Sequence, residues 1–282
     1  MVGIKSLRGR RFVTAVAATL TAGIAGTAFA VNASSAPRPT DTARHARATI
    51  VLEHGAFADA SSWNGVIARL RADGYPVVAA ANPLRGPSSD ATALRGLLDH
   101  IKGPKILVGH SYGGSVISQA ATNDHDIKAL VYVAAFLPAP GETALGLTNK
   151  YPGSTLPGAL DPVPVKNTDG TTGTDLYIQQ DKFRHQFAAD VPRDQAALAA
   201  VGQRPIAQAA LEEKATTAAW KTIPSWDIIT TQDLNIPPAA QRFMAQRAHA
   251  HTIEIAASHS VAVSHPALVT DVIEKAAHTT TR

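Results

Sequence analysis

Cysteine is absent from all 282 residues. That excludes disulfides, thiolate nucleophiles and Cys-ligated metal, so in an exported protein stability must come from the core alone. Histidines are present but scattered, with no His-x-x-x-His or recurring paired-carboxylate spacing that would mark a metal site. No internal repeat is visible. The apolar stretch from Phe12 to Phe29 is too short, and too rich in Ala, Gly and Thr, to read as a membrane-spanning helix. Charge of one sign is also lacking once the N-terminal segment is set aside. The formal net charge is +4, yet the first 30 residues hold Lys5, Arg8, Arg10 and Arg11 and no acid. Removing those four of the 26 basic residues leaves 22, matching the 22 acidic ones, so the remaining chain offers no basic patch for nucleic acid or anionic lipid.

The same segment has the layout of a secretory signal: a charged start, a small apolar centre, and Ala28-Phe29-Ala30 as an A-x-A cleavage site. Export is therefore expected; Arg10-Arg11 leaves a twin-arginine route open beside the general one, although Phe12 directly after the pair counts against it. Residues 31–48, rich in Ala, Ser, Pro, Thr and Arg without apolar period, read as a disordered tether. About 250 residues are enough for one domain with its own core.

From residue 49 the pattern alternates. Strands are expected at 49–54, 77–81, 106–109, 127–135, 226–231 and 252–255, and helices at 61–72, 88–101, 113–121, 238–248 and 266–277. Ser61 or Ser62 reads as the first helix's N-cap and Gly74 as its stop. Alternation of this kind implies an α/β fold: a mostly parallel sheet of about six strands with helices on both faces. The long interruption at 140–223 reads as an inserted cap, its first half flexible and its second half mostly helical, because a structureless loop of that length is improbable. Phe183, Phe187 and Tyr177 within it read as cap core rather than site.

Most informative is Ile106-Leu107-Val108-Gly109-His110-Ser111-Tyr112-Gly113-Gly114, a buried strand that delivers a serine onto a turn flanked by glycines. Gly-x-Ser-x-Gly in strand–turn–helix context is a nucleophile elbow, and Gly109 and Gly113 leave room for the crossing of strand and helix. A serine nucleophile needs a base and an orienting acid, and in such folds the order along the chain is Ser, acid, His. Asp233, just beyond the strand 226–231, fits the acid, whereas the rival Asp227 falls inside that strand. His259, four residues past Ile255, fits the base; His265 looks like a helix start, and His249 and His251 lie at the opposite edge. His110 is expected to pack beside the elbow. Two backbone amides should hold the developing oxyanion: that of Tyr112, and that of Ala56, with Phe57 second, from the loop His54-Gly55-Ala56-Phe57.

With these motifs in order, the chain from about Thr49 to Ala277 resembles the α/β-hydrolase superfamily. Glu53-His54-Gly55-Ala56-Phe57 with Trp63, Gly-His-Ser-Tyr-Gly-Gly and the late Asp and His resemble small esterases of the methyl-esterase and hydroxynitrile-lyase-like branch. Lyases of that branch carry a Lys just after the His and a Thr in the first oxyanion loop, where this chain has Ser260 and Gly55. The resemblance therefore implies cofactor-free hydrolysis of small carboxylic esters or lactones, and the N-terminal segment implies that the protein is secreted, without stable membrane association in its mature form. A haloperoxidase or perhydrolase using the same residues, or a hydrolase-shaped binding protein with little turnover, are the alternatives.

Overall fold

The computed structural model describes residues 47–281; the leader and nearly all of the tether lie outside the described residues. The chain runs β1 (Thr49–Glu53), α1 (Asn64–Ala72), β2 (Val77–Ala80), α2 (Pro87–His100), β3 (Lys105–His110), α3 (Tyr112–Ala120) and β4 (Ile127–Val133). Between β4 and the next core strand come α4 (Ala144–Thr148), β5 (Leu160–Lys166), β6 (Thr172–Ile178), α5 (Gln180–Phe187), α6 (Arg193–Gly202), β7 (Ile206–Ala207) and α7 (Gln208–Glu212). The core closes with β8 (Ser225–Thr230), α8 (Pro238–Arg247), β9 (His251–Ile255), α9 (Val261–Ser264) and α10 (Pro266–Thr280).

Among the described residues the main sheet has six strands in the order β2-β1-β3-β4-β8-β9, every pairing parallel. Alternate residues of each strand feed opposite faces. Ile50, Leu52, Ile106 and Val108 pack with Val66 and Leu70 of α1 and Val269 and Ile273 of α10. Val51 and Leu107 pack with Leu94 and Leu98 of α2, Val116 and Ile117 of α3, and Met244 of α8. After β1 the chain moves to the β2 edge, and β3 then returns on the other side of β1. This reversal makes the carboxyl ends of β1 and β3 the crevice where α/β sheets bind ligands.

Two expectations need correction. Asp59, rather than Ser61 or Ser62, caps the helical turn before α1: its Oδ1 accepts from the Ser61 amide at 2.7 Å, a reach of two residues that short carboxylate side chains favour. The first half of the inserted segment, read as flexible, instead forms regular strands, while α5, α6 and α7 fall in its second half. β5 and β6 form a hairpin with β7 added beyond β6, an antiparallel sheet of three strands. Pro162 and Pro164 do not forbid it, because β5 is an edge strand and residues two apart face the same side. Both ring nitrogens therefore fit on the unpaired side, where no ladder donor is needed. Phe183 and Phe187 join the same core cluster as α2 and α3.

Candidate active site

Ser111 sits between β3 and α3 with φ of 53°, a left-handed conformation that costs a non-glycine residue on the order of 1–3 kcal/mol. Its neighbours over-determine that strain. The Ser111 amide donates to the Val133 carbonyl at 3.2 Å, and its own carbonyl accepts from Phe136 at 3.1 Å. The glycines are required by contact as much as by conformation: a Cβ on Gly113 would lie 2.5 Å from the Glu53 carbonyl oxygen, and one on Gly109 2.8 Å from the Gly113 backbone. α3 therefore crosses β1 and β3 at backbone distance, which lifts the Ser111 hydroxyl to the carboxyl edge of the sheet.

There the structure brings three of the expected side chains together. His259 Nε2 lies 2.8 Å from Ser111 Oγ, and His259 Nδ1 lies 2.7 Å from Asp233 Oδ2. All three residues are buried. Asp233 is held by further donors: the amides of Asn235 (2.7 Å) and Ile236 (3.0 Å) on Oδ1, and Thr230 Oγ1 and Gln241 Nε2, each 3.0 Å away, on Oδ2. A carboxylate only accepts, so His259 must carry its proton on Nδ1 and present a bare Nε2 to the serine hydroxyl. The rival Asp227 lies inside β8 opposite Tyr132, remote from this arrangement. Its two oxygens have no side-chain partner among the described residues, and burial, tempered only by the backbone amide of Ile228, pushes its carboxyl well above the usual carboxylate range.

His110 packs beside the elbow as expected, 4.8 Å from the His259 ring and edge-on to Trp63. Burial, with the nearby His259 adding to it, drives its imidazole down to about 3, so it is neutral in ordinary buffers. Its Nε2 is 2.9 Å from the His259 carbonyl oxygen and donates to it, which pins the backbone of the proposed base.

The loop after β1 is organised by a residue that the sequence did not single out. His54 Nδ1 donates to the Gly55 carbonyl at 2.9 Å, while its Nε2 accepts from the Asn82 amide at 3.1 Å. Because carbonyl and N–H point oppositely across a trans peptide, holding the Gly55 carbonyl on one side sends the Ala56 N–H to the other. The Ala56 and Tyr112 amides have no acceptor among the described residues, and both residues line the cavity at Ser111. Phe57 differs from expectation: its amide donates to the Arg204 carbonyl at 2.9 Å, so it is already engaged. Gly55 is obligatory, since a Cβ there would lie 2.6 Å from Ser111 Cβ.

The inserted segment touches both catalytic-edge loops. Gln186 Nε2 donates to the Leu234 carbonyl at 2.8 Å beside Asp233, and Ser260 Oγ donates to the Phe187 carbonyl at 2.8 Å beside His259. Asp190 accepts from the Ser258 amide at 3.2 Å and from its hydroxyl. Phe187, read from sequence as core, packs its ring edge-on against His259 at 4.9 Å. An apolar cavity of about 70 Å³ opens on Ser111, walled by Phe136, Leu156, Leu211 and Ile236. Among the described residues no cluster of three or more metal-type ligands occurs, and no helix is long and apolar enough to cross a membrane.

Comparison with known proteins agrees with this architecture. An alpha/beta hydrolase of Aspergillus novofumigatus is 25% identical over 253 residues, covering 81% of this chain and 96% of that protein. A carbendazim hydrolyzing esterase of a Nocardioides species is 33% identical over 116 residues, 36% of this chain and 48% of that protein. The solved structure of polyneuridine aldehyde esterase superposes with a TM-score of 0.71 at 19% identity, covering 81% of this chain and 98% of that one. A family profile described as "Alpha/beta hydrolase family" matches residues 50–272, most of the chain. The chain belongs to the alpha/beta hydrolase family.

Proposed function

We propose that this chain is a serine esterase that hydrolyses small carboxylic esters or lactones through Ser111, His259 and Asp233. The observation that carries the reading is the buried hydrogen-bonded sequence hydroxyl, imidazole, carboxylate, with contacts of 2.8 and 2.7 Å. Relatives named as hydrolases and esterases support it.

In the first step His259 Nε2 takes the Ser111 proton as Oγ attacks the carbonyl carbon. The oxyanion forms against the Ala56 and Tyr112 N–H groups. His259 then gives its proton to the alkoxide as the ester C–O bond breaks, leaving an acyl-serine. Water, deprotonated by the same Nε2, attacks the acyl carbon, and the proton returns to Oγ as the acid departs. Throughout, Asp233 fixes the tautomer and balances the imidazolium charge.

Ser111→Ala is expected to lower kcat/KM for nitrophenyl acetate on the order of 10⁴-fold, and a serine-directed phosphonate to add one adduct mass at Ser111. Unchanged turnover in the variant would refute the reading, as would peroxide-dependent bromination faster than ester cleavage. The export signal in residues 1–30 belongs to the same proposal: the exported form should begin at Val31, which N-terminal sequencing checks.

A further inference from the structure

A second, larger cavity of about 350 Å³ shares Phe187 with the cavity at Ser111 but is not lined by Ser111 itself. Phe57 and Phe187 line both cavities and meet edge to face at 6.1 Å, so this aromatic pair is the partition between them. The outer cavity is walled by apolar side chains of the inserted segment, notably Phe183 and Val191 from α5 and the loop after it, and Leu198 and Ala199 from α6. Its remaining wall comes from the turn before α1 and from Ser260 and Val263, next to the proposed base. The lining contains no Lys, Arg or His, and its one ionisable side chain, Asp59, is already engaged by the Ser61 amide and hydroxyl. Leu198, which lines this cavity from α6, is 76% exposed and so stands at its mouth.

We propose that this outer cavity is the subsite for a bulky, uncharged, apolar alcohol arm of the ester, with Phe187 and Phe57 as the gate between it and the scissile bond. The proposal rests on the ester-hydrolase reading. Two features assign the arms. The inner cavity, about 70 Å³ against 350 Å³ and lined by Ala56 and Tyr112, is the smaller of the two and suits the shorter arm, the acyl group. The leaving oxygen must receive its proton from His259 Nε2, so the alcohol arm departs on the imidazole side, which Phe187 covers and behind which the outer cavity opens. A volume of this size lies in the range of ordinary small-ligand pockets, roughly 300–1,000 Å³. A ligand anion would meet no cation there and one carboxylate. The substrate class is therefore short-chain acyl esters of large neutral aryl or alkyl alcohols.

The test compares ethyl acetate with 2-naphthylmethyl acetate, which share the acyl group. Ala199→Trp, which fills the outer cavity from α6, is expected to lower the ratio of kcat/KM for the naphthyl ester to that for ethyl acetate by about tenfold or more. Leu198→Glu, at a position too exposed to affect folding, should move the same ratio in the same direction. An unchanged ratio in both variants overturns the subsite while leaving the esterase reading intact. Independently of turnover, 2-naphthylmethanol is titrated by calorimetry into Ser111→Ala with and without Ala199→Trp. Binding that the second substitution abolishes supports the subsite, and absence of binding, or binding that Ala199→Trp leaves in place, overturns it.

Discussion

Glu53 offers a quantitative test of the interior beneath the Ser111 turn. Its side chain ends β1 fully buried, with Oε2 unpartnered among the described residues, and Asp90 across from it is anchored by Tyr112 Oη at 2.8 Å and by the Arg85 amide. Burial, reinforced by repulsion from Asp90, pushes the Glu53 carboxyl from 4.5 up to about 8. The folded protein therefore favours the protonated acid. Its contribution is fully present below pH 4.5, where the unfolded chain also holds the proton, and is lost as pH rises towards 8. A gap of three and a half units corresponds to about 5 kcal/mol across the window, of which about 3 kcal/mol is already gone at pH 7. Glu53→Gln keeps the shape of the neutral acid and removes the ionisation. At pH 7 the variant should melt higher by about 10 °C, taking 2–4 °C per kcal/mol for a chain of this length, and the advantage should vanish near pH 4.5. Thermal unfolding from pH 4 to 8.5 reads the difference, which cancels contributions common to both proteins. Parallel curves for wild type and Glu53→Gln would refute the reasoning.

Other substitutions test other parts of the structure. Asp227→Val should stabilise the fold on the order of 2 kcal/mol at pH 7, and less at pH 4, because a buried carboxyl with no side-chain partner and a raised proton affinity gives way to a β-branched side chain suited to β8; denaturant titration checks it. His54→Leu should lower kcat on the order of 10²-fold with little change in KM, since it frees the Gly55 carbonyl and the Ala56 amide loses its aim; steady-state kinetics on nitrophenyl acetate measure both constants. Gly113→Ala should cost more than about 4 kcal/mol, because its Cβ would meet the Glu53 carbonyl at 2.5 Å, whereas Gly96→Ala in the open middle of α2 should add about 0.5–1 kcal/mol. Urea unfolding of the pair separates a packing glycine from a dispensable one.

The main sheet was legible because its central strands carry short apolar runs, and helical patterns follow most of them. β3 is buried at every position and β8 likewise, which fits parallel strands covered on both faces. The hairpin of the inserted segment was hidden for the opposite reason. β5 is almost wholly exposed and carries two prolines, so it shows neither alternation nor an apolar run. The readable signal was the turn: Asn167-Thr168-Asp169-Gly170 closes the hairpin, with Gly170 at φ 84° and Asp169 Oδ1 accepting from the Thr171 amide at 2.9 Å. An edge strand is specified by its neighbour and its turn more than by its own residues.

The geometry of the site divides along the same line. Ser111, Asp233 and His259 could be placed because each follows a strand end, and the chemistry dictates their order along the chain. His54, Asn82, Gln186 and Asp190 act through partners 28 to 68 residues away or through their own peptide, and nothing in local spacing marks them. Gln186 and Asp190 flank Phe187, so the stretch that walls both cavities also grips the Asp233 and His259 loops. Phe187 itself joins this grip, its carbonyl accepting from Ser260 Oγ at 2.8 Å beside His259. A few residues of α5 and the loop that follows it therefore both line the cavity at Ser111 and hold the loops that carry Asp233 and His259.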